Sequence, residues 1–157
     1  MKRALKWVLV LVGTGLLLLL AIGWQRDLAP ADLQAKYANG ASQFLDVGGG
    51  LLVHARDEGR GDAPVLVLLH GSNASLQTWE PWVERLGTKY RVISLDQIGH
   101  GLTGPNPSDD YSPAAFVETL DRTLAKLGVD HFALAGNSMG GAVAWRYALA
   151  HPEKVDA

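Results

Sequence analysis

HFALAGNSMGGAVAWRYALA, residues 131–150, decides the fold of this chain. Its first five residues, His131-Phe132-Ala133-Leu134-Ala135, form a short, nearly all-apolar run. That is the pattern of a strand buried on both faces of a parallel sheet. Its last nine, Ala142 to Ala150, are rich in helix formers and stop at His151-Pro152. Between them, Gly136-Asn137-Ser138-Met139-Gly140 spells G-x-S-x-G. A serine on a tight strand-to-helix turn needs small neighbours, because bulk there would clash with the crossing chain. The turn lifts the hydroxyl above the sheet edge and aims it near a helix N-terminus, where backbone N–H groups stabilise negative charge. In a chain with 18 glycines the pattern carries weight only through this strand–turn–helix context.

The upstream sequence repeats the same alternation. Phe44 to Val47, Gly48-Gly49-Gly50 and Leu51 to Ala55 read as a β-hairpin with a glycine loop. His54 falls in its second strand and reads as a half-exposed position without partners. Val65 to Leu69 is a five-residue apolar run, a central parallel strand, and it ends in the polar loop His70-Gly71-Ser72-Asn73-Ala74-Ser75. A helix over Trp79 to Leu86 carries Trp79, Trp82, Val83 and Leu86 at helical spacing, so its tryptophans read as packing residues. The strand Tyr90 to Leu95 runs into Asp96-Gln97-Ile98-Gly99-His100-Gly101-Leu102-Thr103-Gly104. Ser112-Pro113 opens a helix whose apolar stripe is Phe116, Leu120, Leu124 and Leu127, and Gly128 closes it. Strands alternating with helices after an opening hairpin predict an α/β protein with a mostly parallel sheet. The active crevice of such a sheet lies at the carboxyl ends of the strands, where the loops from His70, Asp96 and Ser138 converge.

The N-terminus is of another kind. Trp7 to Trp24 is WVLVLVGTGLLLLLAIGW, 18 residues without a charge, preceded by Lys2, Arg3 and Lys6. As a helix it is roughly 27 Å long, close to the hydrocarbon thickness of a bilayer. Tryptophans at both ends suit the headgroup regions, and the three bases assign the N-terminus to the cytoplasm and the rest to the exported side. This predicts a signal anchor over residues 1–25 that meets the membrane through residues 7–24. The alternative is a signal peptide cleaved after Ala21-Ile22-Gly23, leaving a secreted or periplasmic protein. Residues 26–42 read as a juxtamembrane linker with a short helix from Pro30 to Asn39-Gly40, and residues 43–157 as the α/β domain. With the three bases set aside, 11 basic side chains face 16 acidic ones, which gives no footing for nucleic acid. The absence of cysteine removes disulfides and a thiolate nucleophile. No metal cluster or dinucleotide fingerprint is visible, so no metal or cofactor is expected; Asp96 has no second ligand at metal spacing.

With the three loops in hand, the chain from about Phe44 to Ala157 resembles the serine-nucleophile branch of the α/β-hydrolase fold family. His70-Gly71-Ser72 matches the family's H-G-x oxyanion loop. Asp96-Gln97-Ile98-Gly99-His100-Gly101-Leu102-Thr103 matches its D-x-x-G-x-G-x-S/T loop. Many relatives carry proline where Ile98 stands, a departure expected only to loosen the loop. Gly136-Asn137-Ser138-Met139-Gly140 matches the nucleophile elbow. The resemblance implies that Ser138 attacks an acyl carbon, and that the N–H groups of Met139 and of Ser72 or its neighbour bind the oxyanion. His70, Gly71, Gly136, Gly140, Asp96, Gly99 and Gly101 would support these loops, and His100 would be structural. It implies a small-molecule acyl substrate, with ester, related acyl and carbon–carbon cleavage all open. Serine at this position argues against the epoxide-hydrolase and dehalogenase branches, which use aspartate.

The family orders its triad as serine, acid, histidine. After Ser138 the chain offers only His151, Glu153 and Asp156. His151 lies 13 residues along a helix, roughly 20 Å away, too far to act as base. The resemblance therefore leads one to expect a longer protein, with acid, base and lid after Ala157, and an inactive 157-residue piece. It also leads one to expect Phe132 and Leu134 on an unpaired apolar edge. The competing reading is a non-catalytic α/β-hydrolase-like binding module. Substrate, leaving group, hydrolysis against acyl transfer, and oligomeric state stay open.

Overall fold

A computed structural model of the chain describes residues 2–24 and 28–157. The chain divides into two compact units, Met1–Asp32 and Leu33–Ala157. In the first, α1 (Lys2–Gly23) is one continuous helix with no buried residue. At 22 residues it is about 33 Å long, enough to span a bilayer. The expected boundary between anchor and linker, at residues 25–26, lies outside the described residues. The short helix α2 (Pro30–Tyr37) follows, begun by proline as the sequence suggested.

The second unit is built on a five-stranded sheet of order β1-β2-β4-β3-β5. The strands are β1 (Ser42–Asp46), β2 (Leu52–Gly59), β3 (Val65–Leu69), β4 (Arg91–Leu95) and β5 (Ala133–Gly136). β1, β2 and β4 pair antiparallel, while β4, β3 and β5 pair parallel. The glycine hairpin forms because Gly48, Gly49 and Gly50 all take positive φ, which side chains resist. The helices are α3 (Glu80–Leu86), α4 (Pro113–Lys126) and α5 (Met139–Ala150), with a short 3₁₀ turn, Leu76–Trp79, before α3. Ser112 caps α4, its Oγ accepting the Ala115 N–H at 3.3 Å. The core joins Val53, Val67, Leu69, Ile93 and Leu95 of the sheet to Leu120 and Leu124 of α4 and Tyr147 of α5. Tyr147 closes that layer with a hydrogen bond from its hydroxyl to Asp121 Oδ1 at 2.7 Å.

Five expectations change. The 131–135 strand is shorter, and Ala135 and Gly136 are exposed rather than covered on both faces. The apolar edge is not bare: Phe132 is buried, and residues 154–157 run parallel beside it. Phe132 N–H donates to Lys154 O at 3.1 Å, Asp156 N–H to Phe132 O at 3.0 Å and Leu134 N–H to Ala157 O at 2.9 Å. Ile98 does not loosen its loop but is fully buried in the core. Trp82 is more than half exposed, because α3 turns that side of its short cylinder to solvent. His54 is fully buried and has two side-chain partners, so the half-exposed reading fails.

Candidate active site

β3 and β5 are neighbours in parallel register, Leu69 opposite Gly136, so the loops that leave their carboxyl ends meet. Ser138 stands in the turn from β5 to α5 with φ 52° and ψ −114°. A residue with a Cβ rarely holds positive φ, and such strain concentrates where the backbone must present a group. The turn survives because Gly136 and Gly140 let the crossing segments touch. A Cβ on Gly136 would overlap the Gly140 carbonyl, and one on Gly140 the Leu69 carbonyl oxygen. Asn137 N–H donates to Leu69 O at 3.0 Å and Gly140 N–H to Asn137 O at 2.9 Å, which locks the turn against β3. Ser138 is exposed, and its Oγ has no hydrogen-bond partner among the described residues.

The loop after β3 is held from below. His70 is fully buried; its Nε2 accepts the Gln97 N–H at 3.0 Å, so its Nδ1 carries the proton and donates to Gly71 O at 2.7 Å. Gln97 Nε2 donates back to His70 O at 2.7 Å. Burial pushes the His70 imidazole below its ordinary pKa, against the opposing effects of the Gly71 carbonyl and the Asp96 charge. His70 is thus a neutral brace between two loops. Above it, Gly71 is buried and Ser72 exposed, with Ser72 next to Asn73 at φ 54°. The N–H groups of Ser72 and Met139 make no hydrogen bond among the described residues. Two free N–H groups on adjoining loops, beside an exposed hydroxyl, can stabilise an oxyanion.

Asp96 is the buried anchor of the third loop. Its Oδ1 accepts the Leu76 N–H at 2.8 Å, and its Oδ2 accepts the Leu102 N–H at 2.8 Å and bonds His54 Nδ1 at 2.8 Å. Burial opposes its charge, but these three donors outweigh it and hold the carboxyl below the usual carboxylate range. Gly101, at φ 49°, is obligatory because a Cβ there would collide with that carboxylate. Gly99, at φ 78°, is crowded by the Tyr111 ring. His100 donates from Nδ1 to Ile98 O at 3.0 Å, a local loop contact.

No histidine among the described residues hydrogen-bonds Ser138. His151 ends α5 with its ring against Tyr147, centroids 4.6 Å apart, and Glu153 lies 3.9 Å from it. His131 is exposed beside Asp156. Among the described residues there is also no cluster of three or more groups able to hold a metal. The reading of the sequence missed Ser42 and the buried role of His54. A lone polar residue in the apolar run Leu51 to Ala55 is the only signal, and it does not reveal a partner 42 residues away.

A sequence model of the alpha/beta hydrolase fold matches residues 64–157. An uncharacterized protein of Mycobacterium tuberculosis (strain ATCC 25618 / H37Rv) is 30% identical over 131 residues, which are 83% of this chain and 35% of that protein. The crystal structure of a membrane phospholipase A, described as a bacterial virulence factor, is 29% identical with a TM-score of 0.68. That match covers 99% of this chain and 50% of the other. The epoxide hydrolase VrEH1 from Vigna radiata is 27% identical with a TM-score of 0.68, over 74% of this chain and 37% of that one. The chain spans about 35% of the length of the first curated relatives it matches.

Proposed function

We propose that this chain, which belongs to the α/β-hydrolase fold family, carries the nucleophile of a membrane-anchored serine hydrolase. Ser138 Oγ attacks the carbonyl carbon of an ester, and its proton passes to a histidine base that an acid orients. The oxyanion rests on the N–H groups of Met139 and Ser72. The alcohol leaves with the proton from the base, and water then releases the acyl group. The base and acid are assigned to the part of the protein that the longer relatives have and these residues do not.

The observation that carries the reading is the strained, exposed Ser138 with an unengaged hydroxyl, wedged against the His70–Ser75 loop. The favoured substrate is an acyl ester of a membrane lipid. Two features support it: the apolar 22-residue α1, and a likeness to a membrane phospholipase A that extends over nearly the whole chain. Lys2, Arg3 and Lys6 assign the N-terminus to the cytoplasm and the domain to the exported side. The same helix serves the alternative of a cleaved signal sequence.

The test is labelling with a fluorescent fluorophosphonate, on this chain and on the full product of its gene, with Ser138→Ala beside each. Labelling of the full product that disappears in Ser138→Ala supports the nucleophile, and release of fatty acid from phospholipid vesicles then tests the substrate. A folded full product that stays unlabelled defeats the catalytic reading and favours a binding module.

A further inference from the structure

The described residues hold a hydrogen-bonded serine–histidine–aspartate set that does not include Ser138. Ser42 Oγ lies 2.8 Å from His54 Nε2, and His54 Nδ1 lies 2.8 Å from Asp96 Oδ2. It is not a second nucleophilic centre. His54 and Asp96 are fully buried, and Phe44 stacks on the imidazole at 5.0 Å, so an acyl group cannot reach Nε2.

The Asp96 carboxylate only accepts, so Nδ1 of His54 carries the proton it donates. Nε2 of the ring lies 2.8 Å from Ser42 Oγ, a much shorter contact than the 3.5 Å from Ser42 Oγ to Asn39 Oδ1. Ser42 Oγ in turn accepts the Asn39 N–H at 3.0 Å. The far end of this line is the Asp96 carboxylate, whose two oxygens hold the amides of Leu76 and Leu102. Leu76 closes the loop that begins at His70, and Leu102 lies in the loop that begins at Asp96. Thr103 adds a parallel tie, its Oγ1 donating to Asp96 O at 2.6 Å and accepting the His54 N–H at 3.0 Å. If the imidazole were lost, the buried carboxylate would lose one of its three donors, and its grip on both loops would relax.

We propose that His54, held by Ser42, is a positioning residue for Ser138 chemistry: it fixes the Asp96 carboxylate so that the His70–Ser75 loop keeps its N–H groups aimed at the oxyanion. This rests on the reading of Ser138 as nucleophile. An oxyanion donor displaced by a fraction of an ångström weakens the transition state more than the ground state, so the effect falls on kcat rather than KM.

The experiment uses the full gene product in detergent, with ester turnover and hydrogen–deuterium exchange read on the same samples. His54→Phe keeps the ring shape and removes the donor; His54→Asn restores an N–H near the Nδ1 position. The expected result for His54→Phe is a kcat lower by about 100-fold with KM within about twofold. Exchange at Leu76 and Leu102 should quicken in the same variant. His54→Asn should recover most of both, and Ser42→Ala, which leaves the Asp96 contact in place, should show a smaller loss of the same kind. Should His54→Phe fail to fold, Ser42→Ala and His54→Asn decide by the same two readouts. Unchanged exchange at Leu76 and Leu102 overturns the positioning role, as does a His54→Asn no better than Phe. Lack of both turnover and Ser138 labelling in the unmodified protein defeats the nucleophile reading instead, independently of the exchange result.

Discussion

Gly71 lies against Ser138: a Cβ added at Gly71 would stand 3.3 Å from Ser138 Cβ and 3.3 Å from the Asn137 carbonyl oxygen. The two residues are far apart in sequence, yet they belong to loops that leave adjacent parallel strands at the same level. Their closeness brings the His70–Ser75 loop to the turn that carries Ser138. Gly71→Ala should fold, since the neighbours need give only by a few tenths of an ångström. Fluorophosphonate labelling of Ser138 in the full gene product should slow by roughly tenfold, from donor displacement of well under 1 Å. Thermal unfolding should move by less than about 1 kcal/mol.

Gly140→Ala should be far more damaging. Its Cβ would overlap the carbonyl oxygen of Leu69, a backbone atom in a central strand that cannot swing aside. A loss of about 3 kcal/mol or more is expected, read by chemical denaturation. Gly141→Ala is the control, because its Cβ would meet Gly136 O at 3.2 Å, where a small shift suffices.

Ser138→Gly should stabilise the protein while abolishing labelling. Glycine accepts φ 52° without the penalty that a Cβ carries there, and the gain should be about 1 kcal/mol. Ser138→Ala removes the same hydroxyl but keeps the Cβ. A melting temperature equal in the two variants would show that the turn stores no strain.

His70 makes stability depend on pH. Its folded-state pKa lies below its unfolded value of about 6.5, because burial disfavours the charged ring. The folded state binds fewer protons between the two values, so the stabilisation is complete above about pH 6.5 and is lost as the pH falls toward the folded value. Urea midpoints measured from pH 8 to pH 5 should decline in this window, and His70→Asn should flatten the decline.

Tyr147 and Lys154 share Asp121 but should contribute unequally. The Tyr147 ring is fully buried, and burial together with the Asp121 carboxylate holds its phenol protonated far above the ordinary range. Tyr147→Phe leaves the carboxylate short of a donor and should cost about 1.5–3 kcal/mol. Lys154 bonds the same oxygen at 2.6 Å, but both side chains are about 30% exposed, so Lys154→Met should cost under about 1 kcal/mol. Denaturation of both single variants and the double variant measures the coupling.

The order of strands and helices, the helix starts at Pro30 and Ser112-Pro113, and the three polar loops are legible in the sequence because each rests on neighbours a few residues apart. A short apolar run marks a strand, a proline marks a first turn, and glycines flanking a serine mark a turn that tolerates no bulk. Where the chain was misread, the deciding contact lay far along it. His54 looks like an isolated polar residue until β2 comes to lie beside β4 and sets it on Asp96. Ile98 looks like a poor substitute for a rigid residue until the loop folds back and the core takes it in. Phe132 and Leu134 look unpaired until residues 154–157 return alongside them. Local periodicity therefore determined which segments become strands, helices and loops. Only the tertiary structure decided which polar groups those segments would bury together, because a buried hydrogen bond is set by where two backbones meet in space and leaves no periodic mark in either stretch of sequence.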